Sequence, residues 1–164
     1  MIIVALIALQ LSNSAAAATQ GDCPYPAVWG AAAPTIGGVG IGTKYSEALS
    51  RLGQPTSDTA DQDGWREILF PGLSLLVEED GTVVNVEASE STWSLPSGIT
   101  VGSSERQVRE TYGCSKAIVS SDRVTIGYAL RVAGTEELSD EMVWFELVDG
   151  VVVKLVLHVA HGRQ

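Results

Sequence analysis

The sequence has few of the side chains that carry out covalent catalysis, and their positions do not suit a catalytic site. Its two histidines, His158 and His161, both lie near the C-terminal end and would point to opposite faces of a strand running through them. A serine nucleophile needs an imidazole base within reach, and the G-x-S-x-G segment that exposes such a serine is missing. The sequence therefore predicts a protein that is not an enzyme.

A metal site is not predicted either. The acidic run Asp58–Gly64, DTADQDG, has several of the carboxylates of a calcium loop. Aligning Gly64 with the turn glycine, however, puts Thr59 at the first ligand position and Phe70 at the position of the bidentate glutamate. The two histidines and two cysteines do not approach the ligand spacing of a zinc site. We expect this run to be a solvated loop and the protein to bind no metal and no cofactor.

Two further patterns are weak signals for chemistry. Glu78, Glu79, Asp80 and Glu87 lie close together, so spacing alone leaves a glycosidase with paired carboxylates open. The glycine-rich segment Gly37–Gly42, GGVGIG, lacks the third glycine of a dinucleotide-binding loop and the lysine of a P-loop. Acids beside an Asp-Gly turn usually face solvent, and we do not expect nucleotide binding.

The charge of the chain excludes two classes of partner. Ten Lys and Arg stand against twenty Asp and Glu, which gives the 164-residue chain a net charge of -10. Such a chain is repelled by the phosphate backbone of nucleic acid and by an anionic membrane surface. We predict no nucleic-acid partner, and an acidic surface that keeps the protein soluble or meets a basic patch on another protein.

Residues 1–18 have the pattern of a signal peptide. Ile2–Leu9 is an uncharged apolar run, and small residues with A-x-A sites follow at Ala15–Ala18. The run is far shorter than the roughly 20 residues that span a bilayer. We therefore predict an extracytoplasmic protein, periplasmic or secreted, without a stable membrane anchor. An N-terminal arm at residues 19–35 follows the signal.

Two cysteines, Cys23 and Cys114, remain after removal of that segment. In an oxidising compartment a disulfide between them is one alternative, and closing so long a loop would contribute roughly 4 kcal/mol in the chain-entropy model. Two free thiols are the other alternative. A bridge requires α-carbons within about 7 Å of each other, so the spacing does not decide between the two.

A segment with helix signals occurs twice in the chain. Aligning Gly42 with Gly102 brings the residues that start, fill and end a helix into register in IGTKYSEALSRLGQP and VGSSERQVRETYG. Thr43 in the first segment and either Ser103 or Ser104 in the second supply a hydroxyl that caps the first free amides, and Ser104 and Gln107 have capping-box spacing. The sequence therefore predicts one short helix in each segment.

Strand-like segments separated by turn dipeptides follow each helix, and two Asp-Gly pairs between apolar runs predict hairpins. The predicted fold class is α+β, with two tandem helix-plus-antiparallel-meander repeats and the helices on one face of the sheet. The first repeat is expected at residues 36–94 and the second at residues 95–164.

Hairpin geometry predicts which side chains share a face, because a two-residue turn fixes the pairing of the strands. In the first repeat Leu75 and Val77 fall on the core side. Aligning Gly81 with Gly150 extends this inside-outside assignment to the last hairpin. The residues then predicted on the core side are Met142, Trp144, Glu146, Val153, Leu155 and Leu157. The opposite side then forms the predicted partner-binding surface, namely Val143, Phe145, Leu147, Val152, Lys154 and Val156.

The duplicated I/V-G-T/S, short helix and L/Y-G resembles the tandem repeat of the β-lactamase inhibitory proteins and the single-copy unit of the SmpA/OmlA-type lipoproteins. The segments Val143–Glu146 and Asp149–Val151 are similar to the last hairpin of that repeat. The resemblance covers about Ile36 to His158. It implies an extracytoplasmic, non-enzymatic protein that binds another protein through the surface of its sheet.

The functional prediction is therefore a secreted or periplasmic protein-binding module that uses the free sheet face of its second repeat. The partner is an unidentified protein, and self-association stays open. The alternative is a structural, envelope-associated domain in which that face is buried internally, since monomers rarely leave large apolar patches in water. A small hydrolase is a distant third interpretation.

Overall fold

The computed structural model describes residues 33–113, 115, 117–120, 122–131 and 138–159. Within these residues the chain forms two short helices and eight strands. In chain order they are α1 (Tyr45–Leu52), β1 (Ser57–Ala60), β2 (Arg66–Phe70), β3 (Leu73–Val77), β4 (Val83–Ala88), α2 (Glu105–Tyr112), β5 (Ala117–Ser120), β6 (Arg123–Arg131), β7 (Leu138–Val148) and β8 (Val151–Val159).

All eight strands belong to one antiparallel sheet with the order β1-β2-β3-β4-β8-β7-β6-β5. Its centre is the pairing of β4 with β8, in which Val86 lies opposite Leu157 and Ala88 opposite Leu155. Three antiparallel strands lie on each side of that central pair. The hydrogen-bond ladder therefore continues without interruption across the whole sheet.

The predicted fold class, two tandem helix-plus-antiparallel-meander repeats, was wrong. The two predicted meanders do not form separate units, because β4 and β8 pair directly and side chains from both halves join one hydrophobic cluster. Each helix has only eight residues, which is too short to be stable without tertiary packing. The chain is therefore a single large sheet carrying two short helices.

The ends of both helices follow from their local sequences. Ser104 and Gln107 form a capping box at the start of α2, as the sequence predicts. At the start of α1 the cap position is Lys44, whose side chain makes no capping hydrogen bond, so the hydroxyl predicted at Thr43 caps nothing there. Gly53 and Gly113 end the helices with φ of 85° and 79°, values that glycine adopts without strain.

One face of the sheet, together with both helices, forms the hydrophobic core. Ala48 of α1 and Val108 and Tyr112 of α2 are buried in the same cluster as the inward side chains of the strands. The start of each helix is held by a hairpin turn, since the amide of Tyr45 donates to the Gly81 carbonyl and that of Glu105 donates to the Gly150 carbonyl, both at 2.8 Å. We call this face the core face.

Candidate functional site

The face of the sheet opposite the helices is the candidate site, and we call it the outer face. Strand register places two rows of side chains across its centre. One row is Leu69, Ser74, Glu87, Val156 and Trp144, and the next is Glu67, Leu76, Asn85, His158 and Met142. The apolar members of both rows are half-buried. Neither of the described helices packs over this face.

The structure divides the predicted partner-binding surface between the two faces. Val143, Phe145, Leu147 and Val152 have no exposed surface and belong to the core, so the prediction that they contact a partner was wrong. Only two predicted residues reach the outer face. These are Lys154 and Val156, both half-buried.

The error arises from a difference in loop length between two hairpins. In the β3–β4 hairpin Val77 pairs with Val83, whereas in the β7–β8 hairpin Leu147 pairs with Val152. The first loop is therefore one residue longer. Because side chains alternate along a strand, a shift of one residue moves every side chain to the other face. When the inside and outside positions of the first hairpin are transferred to the second, the buried and outward residues of β7 are therefore exchanged.

A bulge on β8 accounts for the remaining misplaced residue. Glu146 pairs with Lys154 while the next residue, Leu147, pairs with Val152, so Val153 is the extra residue on this strand. The bulge lets Val152 and Leu155 point to the same face although their spacing is odd. No loop or turn rule locates such a bulge from the sequence alone.

Trp144 is the largest side chain on the outer face, and sequence reasoning placed it in the core. Its indole lies flat over Gly127 of the neighbouring strand, where a β-carbon would lie 3.7 Å from Cδ2 and Cε2. The signal that could have placed it correctly is Glu146, two residues along the strand. Residues 144 and 146 lie on the same face of the strand, so burying Trp144 in the core would also bury this carboxylate. Such burial is costly unless the carboxylate is paired.

Two buried polar atoms on the outer face have no hydrogen-bond partner in the described part of the chain. They are Nε1 of Trp144 and Oδ1 of Asn85. An unsatisfied buried donor or acceptor costs roughly 1–3 kcal/mol. Both atoms lie below the surface, so neither offers a hydrogen bond to a molecule that docks on this face.

An ionic network crosses the outer face beside Trp144. Lys154 Nζ donates to Glu87 Oε2 at 3.2 Å and lies 3.8 Å from Glu146 Oε1. Arg123 Nη1 donates to Glu146 Oε2 at 2.9 Å. The network links β4, β8, β7 and β6, and its two cations balance its two carboxylates. The network itself is therefore neutral, although the chain carries a net charge of -10.

Two of the acidic residues considered for a metal site or for catalysis, Asp61 and Asp80, have structural partners. The prediction of a solvated loop at Asp58–Gly64 was wrong for its first three residues, which belong to strand β1. Asp61 Oδ1 accepts from the amides of Asp63 and Trp65 at 2.9 and 3.0 Å, which closes a turn after that strand. Asp80 accepts from Thr82 and from Lys44 Nζ at 3.1 Å, and the hydrogen bond from the Thr82 hydroxyl is the main cause of its lowered pKa. Among the described residues, no three or more His, Cys, Asp or Glu side chains are placed to hold a metal.

A solved structure that is similar to this chain is the crystal structure of an extracellular protein containing an SCP domain from Bacillus anthracis str. Ames. The sequences are 12% identical, the TM-score is 0.47, and the match covers 73% of this chain and 44% of that chain. A likeness of this size establishes neither a shared fold nor a shared function. No protein-family model matches the chain, and no curated protein matches it.

The remaining predicted features lie partly outside the described residues. His158 is on the outer face, in register with Asn85 and Met142. The signal peptide, His161, Cys23 and Cys114 lie outside the described residues, so the disulfide stays a prediction. None of the described helices has the length and hydrophobicity needed to cross a membrane.

Proposed function

We propose that this chain is a non-enzymatic binding module that recognises another protein with the outer face of its sheet. The observation that carries the proposal is the chemistry at the middle of that face. A half-buried tryptophan, Trp144, lies directly opposite Val156 on the face that neither described helix covers. Aromatic anchors of this type contribute much of the energy of protein interfaces.

The apolar residues of the outer face form two patches. Trp144, Val156 and Met142 are neighbours on β7 and β8, and Leu69 and Leu76 are diagonal neighbours on β2 and β3. The polar residues between the patches are Ser74, Glu87, Asn85 and His158. A partner that covers Trp144 and Val156 would bury apolar surface beside the Lys154 network, which favours binding.

An extracytoplasmic location is part of the proposal and rests on residues 1–18. The uncharged apolar run and the A-x-A sites are typical of a secretory signal. N-terminal sequencing of the protein purified from its native organism tests this directly. A mature chain starting close to Ala18 supports export, and a chain that retains Ile2–Leu9 contradicts it.

The binding face is tested with two outer-face variants, Trp144→Ala and Val156→Glu. The matched control is Ser46→Glu, which puts a carboxylate on the exposed side of α1. Immobilised wild type and variants are incubated with extracytoplasmic extract, and retained proteins are identified by mass spectrometry and rebound in purified form. Phe145→Glu is unsuitable for this test because it would place a charge in the core.

A partner that binds wild type and Ser46→Glu and is lost from both outer-face variants supports the proposal. A partner that binds all four proteins equally excludes the outer face as its contact. If no purified protein rebinds, the structural interpretation, in which this face is covered internally, becomes the better one. Circular dichroism and urea midpoints ensure that each variant is folded.

A further inference from the structure

The two edges of the sheet have opposite chemistry. At one edge, β1 carries Ser57, Asp58, Thr59 and Ala60, and Asp58 is bound by Arg66 of β2 at 2.7 Å. At the other edge, β5 reads Ala-Ile-Val-Ser and has no charged residue. Natural sheets commonly protect an edge with charged side chains, proline or a covering element. The β1 edge has a charge of this kind, and the β5 strand has none.

The β5 edge exposes large apolar side chains on both sides of the sheet. Ile118 is 59% exposed and Val119 is 70% exposed, the two highest values among the exposed large hydrophobic residues of the described chain. Ile118 is in register with Thr125 and therefore follows the outer face, whereas Val119 is in register with Val124 and follows the core face. A strand laid along this edge would cover apolar surface above and below the sheet.

Among the described residues, the backbone of β5 is paired on one side only. Ala117–Ser120 pairs with Arg123–Ile126 of β6, and β5 is the last strand in the order of the sheet. In an antiparallel ladder about half of the amide and carbonyl groups of an edge strand point away from its neighbour. These outward groups form a template for a further extended chain.

We propose that β5 accepts an extended segment of another protein as a ninth strand of the sheet. The segment that fits has uncharged β-branched residues opposite Ile118 and Val119 and basic residues at its ends. The basic ends follow from charge complementarity, because a chain with a net charge of -10 attracts cations. The same charge disfavours a second copy of this chain as the occupant. The β5 edge lies two strands away from Trp144, so its test does not require Trp144 to contact a partner.

The test uses a synthetic peptide of alternating threonine and valine with an arginine at each end, labelled with fluorescein. A second peptide has the same side chains and charge but is N-methylated at alternate residues, which removes the donors along one side of the strand. Binding to the full chain is followed by fluorescence anisotropy. We expect saturable binding of the first peptide and at least about tenfold weaker binding of the methylated one, equivalent to about 1.4 kcal/mol.

The protein variants separate the two edges. Ile118→Ser with Val119→Ser removes the apolar contacts without adding charge, and it should weaken binding about tenfold. Thr59→Val, at an exposed position of β1, is the matched control and should leave the affinity unchanged. Hydrogen exchange should show slower exchange of the β5 amides in the presence of the peptide and no change at β1.

Three results would overturn the inference. Equal binding of the methylated peptide would mean that the attraction is only electrostatic. Absence of saturable binding up to about 1 mM peptide would mean that the edge is not a binding site. A concentration-dependent dimer of the chain alone, lost in the double serine variant, would make a second copy the occupant in place of a partner segment.

Discussion

The hairpins β3–β4 and β7–β8 are built from similar sequences but expose different surfaces. The β7–β8 loop is a two-residue turn in which Asp149 and Gly150 both have positive φ, 51° and 73°, the geometry of the type I′ turn. The β3–β4 loop has one residue more and reaches positive φ only at Gly81. The comparison teaches that residues aligned through two turns of different length need not lie on the same face of their strands.

The N-terminal and C-terminal halves of the described chain contribute different kinds of side chain to the core. In the N-terminal half the strands bury mainly aliphatic residues, with Phe70 as the aromatic exception. In the C-terminal half Phe145 stacks on Tyr112 at 5.3 Å between ring centroids and meets Tyr128 edge-on at 5.9 Å. This aromatic cluster lies where α2 covers the sheet, and it makes the C-terminal half the more sensitive one to substitution.

The largest expected effect distinguishes the two faces of β7. Phe145→Ala should lower the free energy of unfolding by about 3–5 kcal/mol, because it removes a fully buried ring and leaves a cavity. Trp144→Ala, one residue away on the outer face, should cost less than half as much. Urea denaturation of both variants provides the measurement. The assignment of faces fails if Trp144→Ala proves the more destabilising.

The second prediction concerns alkaline pH and the aromatic cluster. Burial raises the pKa of Tyr112 and of Tyr128 to about 12, against about 10 for an unfolded tyrosine. The unfolded chain therefore loses these protons first as pH rises, so the stabilisation is complete below pH 10 and is lost between about pH 10 and 12. Each tyrosine should contribute a slope of about 1.4 kcal/mol per pH unit.

Urea denaturation at several pH values, compared with Tyr112→Phe, isolates this effect from the titration of lysines. The variant should have a smaller loss of stability above pH 10 than the wild type. Parallel curves for the two proteins would show that Tyr112 has the same pKa in the folded and unfolded states.

The third prediction tests the loop difference itself. Inserting one glycine between Val148 and Asp149 gives the second hairpin the length of the first, and it should change the free energy of unfolding by less than about 1 kcal/mol. The core holds the strand in place, so the extra residue is expected to remain in the loop. Phe145→Ala should therefore cost as much in this background as in the wild type. A strand that slipped would instead make Trp144→Ala the costly substitution.

The smallest expected effect concerns the ionic network of the outer face. Lys154 pairs with Glu146 across β7 and β8, and the matching pair in the first hairpin is Asn85 with Leu76. Lys154→Asn should lower the free energy of unfolding by about 0.5 kcal/mol, because partly exposed ion pairs contribute little. The loss should shrink in high salt. A loss above about 2 kcal/mol would indicate that the network is structurally essential.

Local features were predictable because they depend on neighbouring residues only. The capping box of Ser104 and Gln107, the helix ends at Gly53 and Gly113, and the turn at Asp149-Gly150 can all be recognised in short segments. The register of β3 with β4 near Leu73 and Leu75 also follows from the sequence. In that hairpin the longer loop shifts the pairing by one residue and the bulge at Val84 shifts it back, so the pairing beyond the bulge is the one expected for a two-residue turn.

The binding surface could be predicted only in part, because its residues are set by register and not by composition. The sequence shows that β7 alternates between Val143, Phe145, Leu147 on one side and Met142, Trp144, Glu146 on the other. Both sets are largely apolar, so alternation alone does not say which is buried. Glu146 was the one residue that indicated which side of β7 faces outward. Of the residues predicted to bind a partner, Lys154 and Val156 reach the outer face.

The sequence by itself determined the two helices and their glycine ends, the hairpin turns and most of the strands, since those depend on backbone conformations that short segments encode. It missed β1, which falls in a run predicted to be a loop. Only the tertiary structure decided that β4 pairs with β8 to give one sheet, and that the aromatic ring of Phe145 is covered by α2 while Trp144 faces outward. These choices depend on contacts between residues far apart in the chain. Their energies are settled by the packing of the whole core, which no local pattern contains.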